Sequence, residues 1–79
     1  MYNIGTCKIC KQGLLEIVKD EITQKIYICC DECEAEWDVP TDALKPINGT
    51  RGKYGKIVYP SLEEVQRQEW ETKIFEHHN

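Results

Sequence analysis

The sequence predicts a small α+β fold, in which a three-stranded antiparallel sheet is followed by a loop and a C-terminal helix. Three observations support it: a length of 79 residues, β-branched apolar runs in the first half, and a helix-start signal at Ser61. A core of this size seldom supplies more than about 3 to 5 kcal/mol, so such domains often add disulfides or a metal. We expect one domain over residues 1–79, with the sheet in 1–40, a loop with short elements in 41–60 and a helix in 61–76.

Two runs of strand length predict a β-hairpin at the centre of the sheet. Residues 14–18 and 25–29 are apolar and β-branched, and a polar turn separates them. Apolar and acidic residues then alternate over 34–39, which predicts a third strand with Trp37 on its inner face and carboxylates on its outer face. This strand is expected to stop at Pro40 or to lie at an edge of the sheet, because proline cannot donate a hydrogen bond to a β-ladder.

The second half of the chain predicts a helical turn, a loop, a short strand and a helix. Thr41 is a candidate N-cap for the helical turn. Residues 47–56 contain three glycines and no acid, which indicates a mobile loop, and residues 57–59 fit a short strand. Ser61 and Glu64 form a capping-box pattern that predicts the start of the C-terminal helix. Its apolar side chains share one face, which we expect to pack on the sheet: Leu62, Val65, Trp70 and Ile74.

Two Cys-x-x-Cys pairs give the strongest chemical signal. The pairs are Cys7 with Cys10 and Cys30 with Cys33, and 19 residues separate them. A two-residue spacer lets one tight turn present two sulfurs to one ion, and Zn²⁺ binds four thiolates tetrahedrally. The predicted hairpin brings both turns together, so we predict one structural Zn²⁺ per chain. Gly13 is expected to supply the positive φ at which the chain leaves the first turn.

Other uses of these cysteines fit the pattern less well. Reduced core cysteines would have to form two regular pairs beside polar residues by accident. A thioredoxin-like redox site needs a pair that opens a helix, and neither pair does so. Iron bound as in rubredoxin is a closer alternative. However, rubredoxin turns resemble Cys-x-x-Cys-Gly, whereas Lys11 and Glu34 follow the pairs here.

The fifth cysteine and both histidines lie outside this pattern. On a strand, Cys29 points away from Cys30, and we expect it to pack as a small buried hydrophobe. The other interpretation is that Cys29 is an alternative metal ligand or a redox sensor. His77 and His78 follow the predicted end of the last helix. Fraying is expected there rather than metal binding.

The segment from Cys7 to Trp37 resembles the zinc ribbon family, whose members combine two cysteine turns, a hairpin and a third strand. The resemblance implies a zinc ribbon fold and leaves the partner open, since ribbons occur in RNA polymerase subunits, transcription factors, ribosomal proteins and adaptors. Residues 27–37 also look like small stand-alone bacterial ribbon proteins, a group that includes candidate immunity partners of secreted toxins.

Composition and charge limit the cellular location and the kind of partner that we expect. Residues 1–7 do not resemble a signal peptide, and no apolar run approaches the about 20 residues that span a bilayer, so we expect a cytoplasmic protein without a membrane partner. The formal net charge is −4, with eight acids and four bases in residues 1–40. Four thiolates and one Zn²⁺ would take the charge to about −6, which disfavours a polyanionic partner.

Two surfaces of opposite charge are candidates for partner binding. The acidic surface suits a basic protein, although a solvated strand face would also explain it, and its residues are Asp31, Glu32, Glu34, Glu36 and Asp38. The basic loop, residues 45–56, suits phosphates and stacked bases through Lys45, Arg51, Lys53, Tyr54 and Lys56. The basic loop could equally fold back on the acidic strand and neutralise it.

No catalytic arrangement is expected. Zinc held by four cysteines leaves no open position for water, and the glycines of the basic loop lack the pattern of a phosphate-binding loop. The sequence therefore predicts a non-enzymatic protein, without a small-molecule substrate, that binds a basic protein through its acidic surface as an immunity protein or adaptor. The alternative is a nucleic-acid-binding ribbon that uses the basic loop.

Overall fold

The computed structural model describes residues 1–75, which form a five-stranded antiparallel sheet and two short helices. The strands are β1 (Tyr2–Thr6), β2 (Leu14–Asp20), β3 (Ile26–Cys30), β4 (Glu36–Trp37) and β5 (Ile57–Val58). The helices are α1 (Pro40–Leu44) and α2 (Leu62–Arg67), and a 3₁₀ turn covers Glu71–Lys73. Neighbouring strands follow the order β1-β2-β3-β4, and β5 pairs with the end of β2.

The predicted hairpin is the centre of the sheet, where Leu15 pairs with Cys30 and Lys19 with Ile26. Its turn is closed by the Asp20 carboxylate, which accepts a hydrogen bond of 2.8 Å from the Thr23 amide. The sheet has five strands instead of three, because β1 and β5 both pair with β2. A short strand at residues 57–59 was predicted, whereas β1 was not. β1 is irregular, because its register with β2 shifts between Asn3 and Thr6 around Gly5, whose φ is +113°. A glycine within so short a run makes the strand hard to predict from the sequence.

Alternating residues give the sheet two buried faces. The main core lies between one face and the helices, and its largest fully buried residues are Leu15, Ile17, Ile28, Trp37 and Val65. The second face carries a smaller cluster of Val18, Tyr27 and Cys29, against which Tyr54 packs. Val65, Trp70 and Ile74 pack in or against the main core as predicted, although Trp70 and Ile74 lie beyond the end of α2. Leu62 is half-buried.

Residues 50–56, here called the strap, cover the second face of the sheet. The Glu36 and Thr50 backbones exchange two hydrogen bonds of 2.8 and 2.9 Å. The Gly55 amide donates to Asp20 Oδ1 at 2.7 Å, and the rings of Tyr54 and Tyr27 stack with centroids 4.0 Å apart. The segment predicted as a mobile loop is therefore bound to the sheet along most of its length.

The last helix starts where predicted and ends early. Ser61 and Glu64 form the complete capping box. The helix ends at Arg67 rather than near residue 76, because Glu69 adopts a left-handed conformation with φ +63°. The chain then turns so that Trp70 reaches the main core. Within residues 1–75, no helix has both the length and the apolar character needed to cross a bilayer.

The first helix also differs from the prediction. Its N-cap is Val39, which makes no side-chain capping bond, and Pro40 occupies the first turn instead of ending a strand. Thr41 therefore lies inside the helix. The reason is that proline has no amide hydrogen to lose and already has the φ value of a first helical residue.

Replacing Trp37 with alanine is expected to lower the free energy of unfolding by about 3 to 5 kcal/mol, because it leaves a cavity in the main core. Urea denaturation of the metal-loaded protein, followed by circular dichroism, measures this change. Ile22→Ala is the matched control, because Ile22 is 81% exposed in the hairpin turn and its loss should cost at most about 0.5 kcal/mol. Equal stability of the two variants would contradict the assigned core.

Candidate metal centre

The four cysteines of the two pairs converge at one end of the sheet. The Sγ atoms of Cys7, Cys10, Cys30 and Cys33 all lie within 4.8 Å of one another. Cys7 Sγ is 3.9 Å from Cys33 Sγ, and Cys10 Sγ is 3.6 Å from Cys30 Sγ. Sulfurs at the corners of a tetrahedron around Zn²⁺, with bonds of about 2.3 Å, would be about 3.8 Å apart. The donor set and its spacing therefore fit a zinc-binding domain.

The two cysteine turns, residues 7–13 and 30–35, repeat one backbone conformation. In the first, the Lys11 amide donates to the Cys7 carbonyl at 3.1 Å, and in the second the Glu34 amide donates to the Cys30 carbonyl at 3.2 Å. Lys11 and Glu34 have φ values of +61° and +63°. The left-handed residue of the first turn is therefore Lys11, and the prediction that Gly13 would supply the positive φ was wrong.

Gly13 is instead required by a close approach between the two turns. A Cβ atom at this position would lie 2.6 Å from Cys30 Sγ and 2.7 Å from Asp31 Oδ1. Both distances are shorter than any normal nonbonded contact, and Cys30 is fully buried. The absence of a side chain at Gly13 therefore lets the first turn pack directly on a sulfur of the second.

Backbone amides donate hydrogen bonds to the sulfurs of Cys10 and Cys30, and these bonds favour the ionised form of both thiols. Glu32 and Cys33 amides both donate to Cys30 Sγ at 3.4 Å. Amides of Gln12 and Gly13 lower the pKa of Cys10 to about 6. Burial raises the pKa of Cys30, because it removes that thiolate from water. A bound cation would reverse this burial penalty, since coordination to a divalent metal deprotonates a thiol.

Cys29 lies on the opposite face from these ligands, as predicted. It is buried in the cluster of the second face, and burial raises the pKa of its thiol to about 11. Cys29 is therefore a neutral, packed thiol, as expected of a small buried hydrophobe. His77 and His78 lie outside the described residues.

The acidic surface is smaller than the sequence predicted, because Glu36 is buried and only 5% exposed. Its carboxylate accepts hydrogen bonds from the Thr50 hydroxyl at 2.9 Å and from the Lys53 amide at 3.1 Å. Alternation placed Glu36 correctly on the face opposite Trp37, but the strap covers that face. The acids that remain exposed are Asp31, Glu32, Glu34 and Asp38.

The basic loop folds back on the acidic strand, which was one of the two outcomes considered. Lys53 Nζ lies 3.6 Å from Asp38 Oδ2, and the Tyr54 hydroxyl donates to the same carboxylate. Arg51 Nε donates to the Cys33 carbonyl at 2.9 Å, a contact with the second cysteine turn that no sequence pattern indicated. Lys56 Nζ approaches Glu21 Oε1 at 3.9 Å. Part of the positive charge of the loop is thus neutralised within the chain.

Substituting Cys10 or Cys33 with serine is expected to remove the bound metal and unfold the chain, because metal binding also stabilises so small a fold. Cys29→Ala is the matched control and should retain one metal ion per chain. Native mass spectrometry counts the metal, and circular dichroism reports the fold. Loss of metal from Cys29→Ala, with retention in Cys30→Ala, would show that the other cysteine of the adjacent pair is the ligand.

Replacing Gly13 with alanine is expected to weaken metal binding at least about fivefold, since the new methyl group would collide with Cys30 Sγ at a cost of about 1 to 3 kcal/mol. Competition with a chromophoric chelator measures the affinity. Gln12→Ala is the control, because Gln12 is exposed and acts through its backbone amide. Unchanged affinity in Gly13→Ala would mean that the two turns are not held in this close contact.

Comparisons of the chain with models of protein families, with curated proteins and with solved structures found no match. What the site can do is therefore inferred from its own chemistry. Four cysteine sulfurs clustered at one end of a small antiparallel sheet fit a zinc-binding domain.

Proposed function

We propose that the chain is a non-enzymatic zinc ribbon protein, in which Cys7, Cys10, Cys30 and Cys33 hold one structural Zn²⁺. The observation that carries this proposal is the clustering of four thiol sulfurs within 4.8 Å, at near-tetrahedral spacing. Zinc is preferred to iron because neither turn has the rubredoxin-like glycine after its second cysteine. Lys11 and Glu34 occupy these positions in left-handed conformations.

A structural role for the metal follows from its closed coordination. Hydrolytic zinc needs one position for water or substrate, and four thiolates leave none. The two cysteine turns connect different strands, since the first lies between β1 and β2 and the second between β3 and β4. Zinc would therefore join both halves of the sheet at one end, in a chain with a thin core.

The proposed activity is binding of a basic protein partner through the exposed acids Asp31, Glu32, Glu34 and Asp38. The formal charge of −4, or about −6 with zinc bound, favours encounter with a cationic partner. Glu32 and Glu34 flank Cys33 in the second cysteine turn, so the metal would hold them in a fixed arrangement. An immunity protein or adaptor in a bacterial cytoplasm is the sharpest version of this proposal, and it rests on the resemblance of residues 27–37.

The nucleic-acid alternative receives less support from the contacts of the basic loop. Lys53 and Lys56 lie near carboxylates of the same chain, and Arg51 donates to a backbone carbonyl. These contacts reduce the positive charge that phosphates would meet. Lys45 remains exposed at the start of the loop.

Charge reversal in Glu32→Lys with Glu34→Lys is expected to abolish capture of the partner from a native cell extract, because it inverts the charge of the second cysteine turn. Glu63→Lys with Glu69→Lys is the matched control, since both residues are exposed and the net charge changes equally. Captured material is identified by mass spectrometry with and without nuclease. Equal loss in both variants would show that only net charge matters.

The same experiment separates the two kinds of partner. A Lys45→Glu variant should capture the partner as well as the parent does, and nuclease should leave capture unchanged. If nuclease or Lys45→Glu removes the captured material while the acidic substitutions do not, the chain binds nucleic acid through the basic loop.

A further inference from the structure

A cleft of about 460 Å³ lies between the strap and the second face of the sheet. This volume is within the about 300 to 1,000 Å³ typical of ligand sites. Its polar lining consists mainly of carboxylates and tyrosines: Glu16, Asp31, Glu34, Glu36, Tyr54 and Tyr59. No lysine or arginine of residues 1–75 lines it, so the wall of the cleft is negative.

Three buried acids lie on this face of the sheet, and the strap binds two of them. Asp20 accepts the Gly55 amide at 2.7 Å together with bonds from its own turn. Glu36 accepts the Thr50 hydroxyl and the Lys53 amide. Buried carboxylates normally have such partners. Asp20 and Glu36 therefore have a structural explanation, because they anchor the strap.

Glu16 is the third buried acid, and it lacks an equivalent partner. It lies opposite Cys29 in the sheet, so its side chain is on the second face, and it is 7% exposed. Among the described residues, its carboxylate has one hydrogen bond, a long contact of 3.4 Å from the Tyr59 hydroxyl to Oε1. Burial and the nearby Asp31 raise the pKa of Glu16. A carboxylate with so little exposure normally accepts several hydrogen bonds, which a ligand in the cleft could donate to Glu16.

The aromatic residues of the cleft indicate the kind of ligand. Tyr59 is 54% exposed, so a ligand that reaches Glu16 could also contact its ring. Cations bind tyrosine faces, and arginine combines such stacking with a planar fork that matches a carboxylate. We propose that this cleft binds an arginine side chain of the basic partner, with the guanidinium paired to Glu16 and stacked on Tyr59. This inference rests on the proposed function and names the recognition element within it.

The test uses the zinc-loaded full chain labelled with ¹⁵N and the probe acetyl-Gly-Arg-Gly-amide. Titration followed by NMR is expected to give saturable shifts at amides of residues 16, 31, 34 and 52–59. The control peptide replaces arginine with citrulline, which has the same shape and no charge. It should bind at least about tenfold more weakly, because a charged hydrogen bond is worth about 1.5 to 3 kcal/mol. Equal binding of both peptides, or shifts outside the cleft, would overturn the proposal.

Two substitutions assign the binding to Glu16 and Tyr59. Glu16→Gln keeps the size of the side chain and should reduce peptide affinity about tenfold or more. The matched control, Glu63→Gln, changes an exposed acid of α2 and should leave affinity unchanged. Glu16→Gln should also raise the melting temperature at pH 7, because it removes a buried charge without a strong partner. A lower melting temperature would mean that Glu16 is structural, and would overturn the assignment.

Tyr59→Ala removes an exposed ring and should weaken peptide binding, while the NMR spectrum remains that of a folded protein. This variant keeps the test informative if Glu16→Gln does not fold.

Partner capture then separates this inference from the proposed function. If Glu32→Lys with Glu34→Lys abolishes capture while Glu16→Gln and Tyr59→Ala retain it fully, the cleft is not the recognition element and the acidic surface is. If all of them retain capture, the proposed function itself fails.

Discussion

The convergence of four cysteine sulfurs is the constraint on which the rest of the structure depends. Two turns that are 19 residues apart in sequence must meet, and the β2–β3 hairpin has the length to bring them together. Their contact is close enough that Gly13 can carry no side chain. A metal at this point would fix one end of the sheet, while the main core under Trp37 fixes its centre. The helices then pack against a sheet whose register is already set.

The second face of the sheet is stabilised in a different way. Its apolar cluster is small, and buried carboxylates of Asp20 and Glu36 take up much of the remaining area. Backbone amides of the strap donate hydrogen bonds to both carboxylates, so hydrogen bonds to charged acceptors replace part of the apolar packing. Gly55 suits this function, because its amide reaches Asp20 Oδ1 at 2.7 Å and an added Cβ atom would lie only 3.3 Å from the same oxygen.

The sequence predicted the local features of this fold better than its long-range contacts. Spacing was sufficient for the hairpin and the capping box at Ser61, because each depends on residues close together in the chain. It was also sufficient for the cysteine set, because the hairpin alone brings the two pairs together. Alternation also gave the side of the sheet on which Glu36 lies. It could not show that residues from another part of the chain cover that side. The early end of α2 was missed for a similar reason, since packing of Trp70 on the main core, rather than helix propensity, determines it.

The contact between Arg51 and the Cys33 carbonyl has a thermodynamic consequence. It joins the strap to the second cysteine turn, and Asp31 of the same turn lines the cleft. Occupancy of the metal centre and occupancy of the cleft then depend on the same backbone arrangement, and such coupling between two sites is reciprocal. A ligand held under the strap would then raise the affinity of the chain for zinc. Conversely, loss of zinc would lower the affinity of the cleft for the arginine side chain that we propose as its ligand.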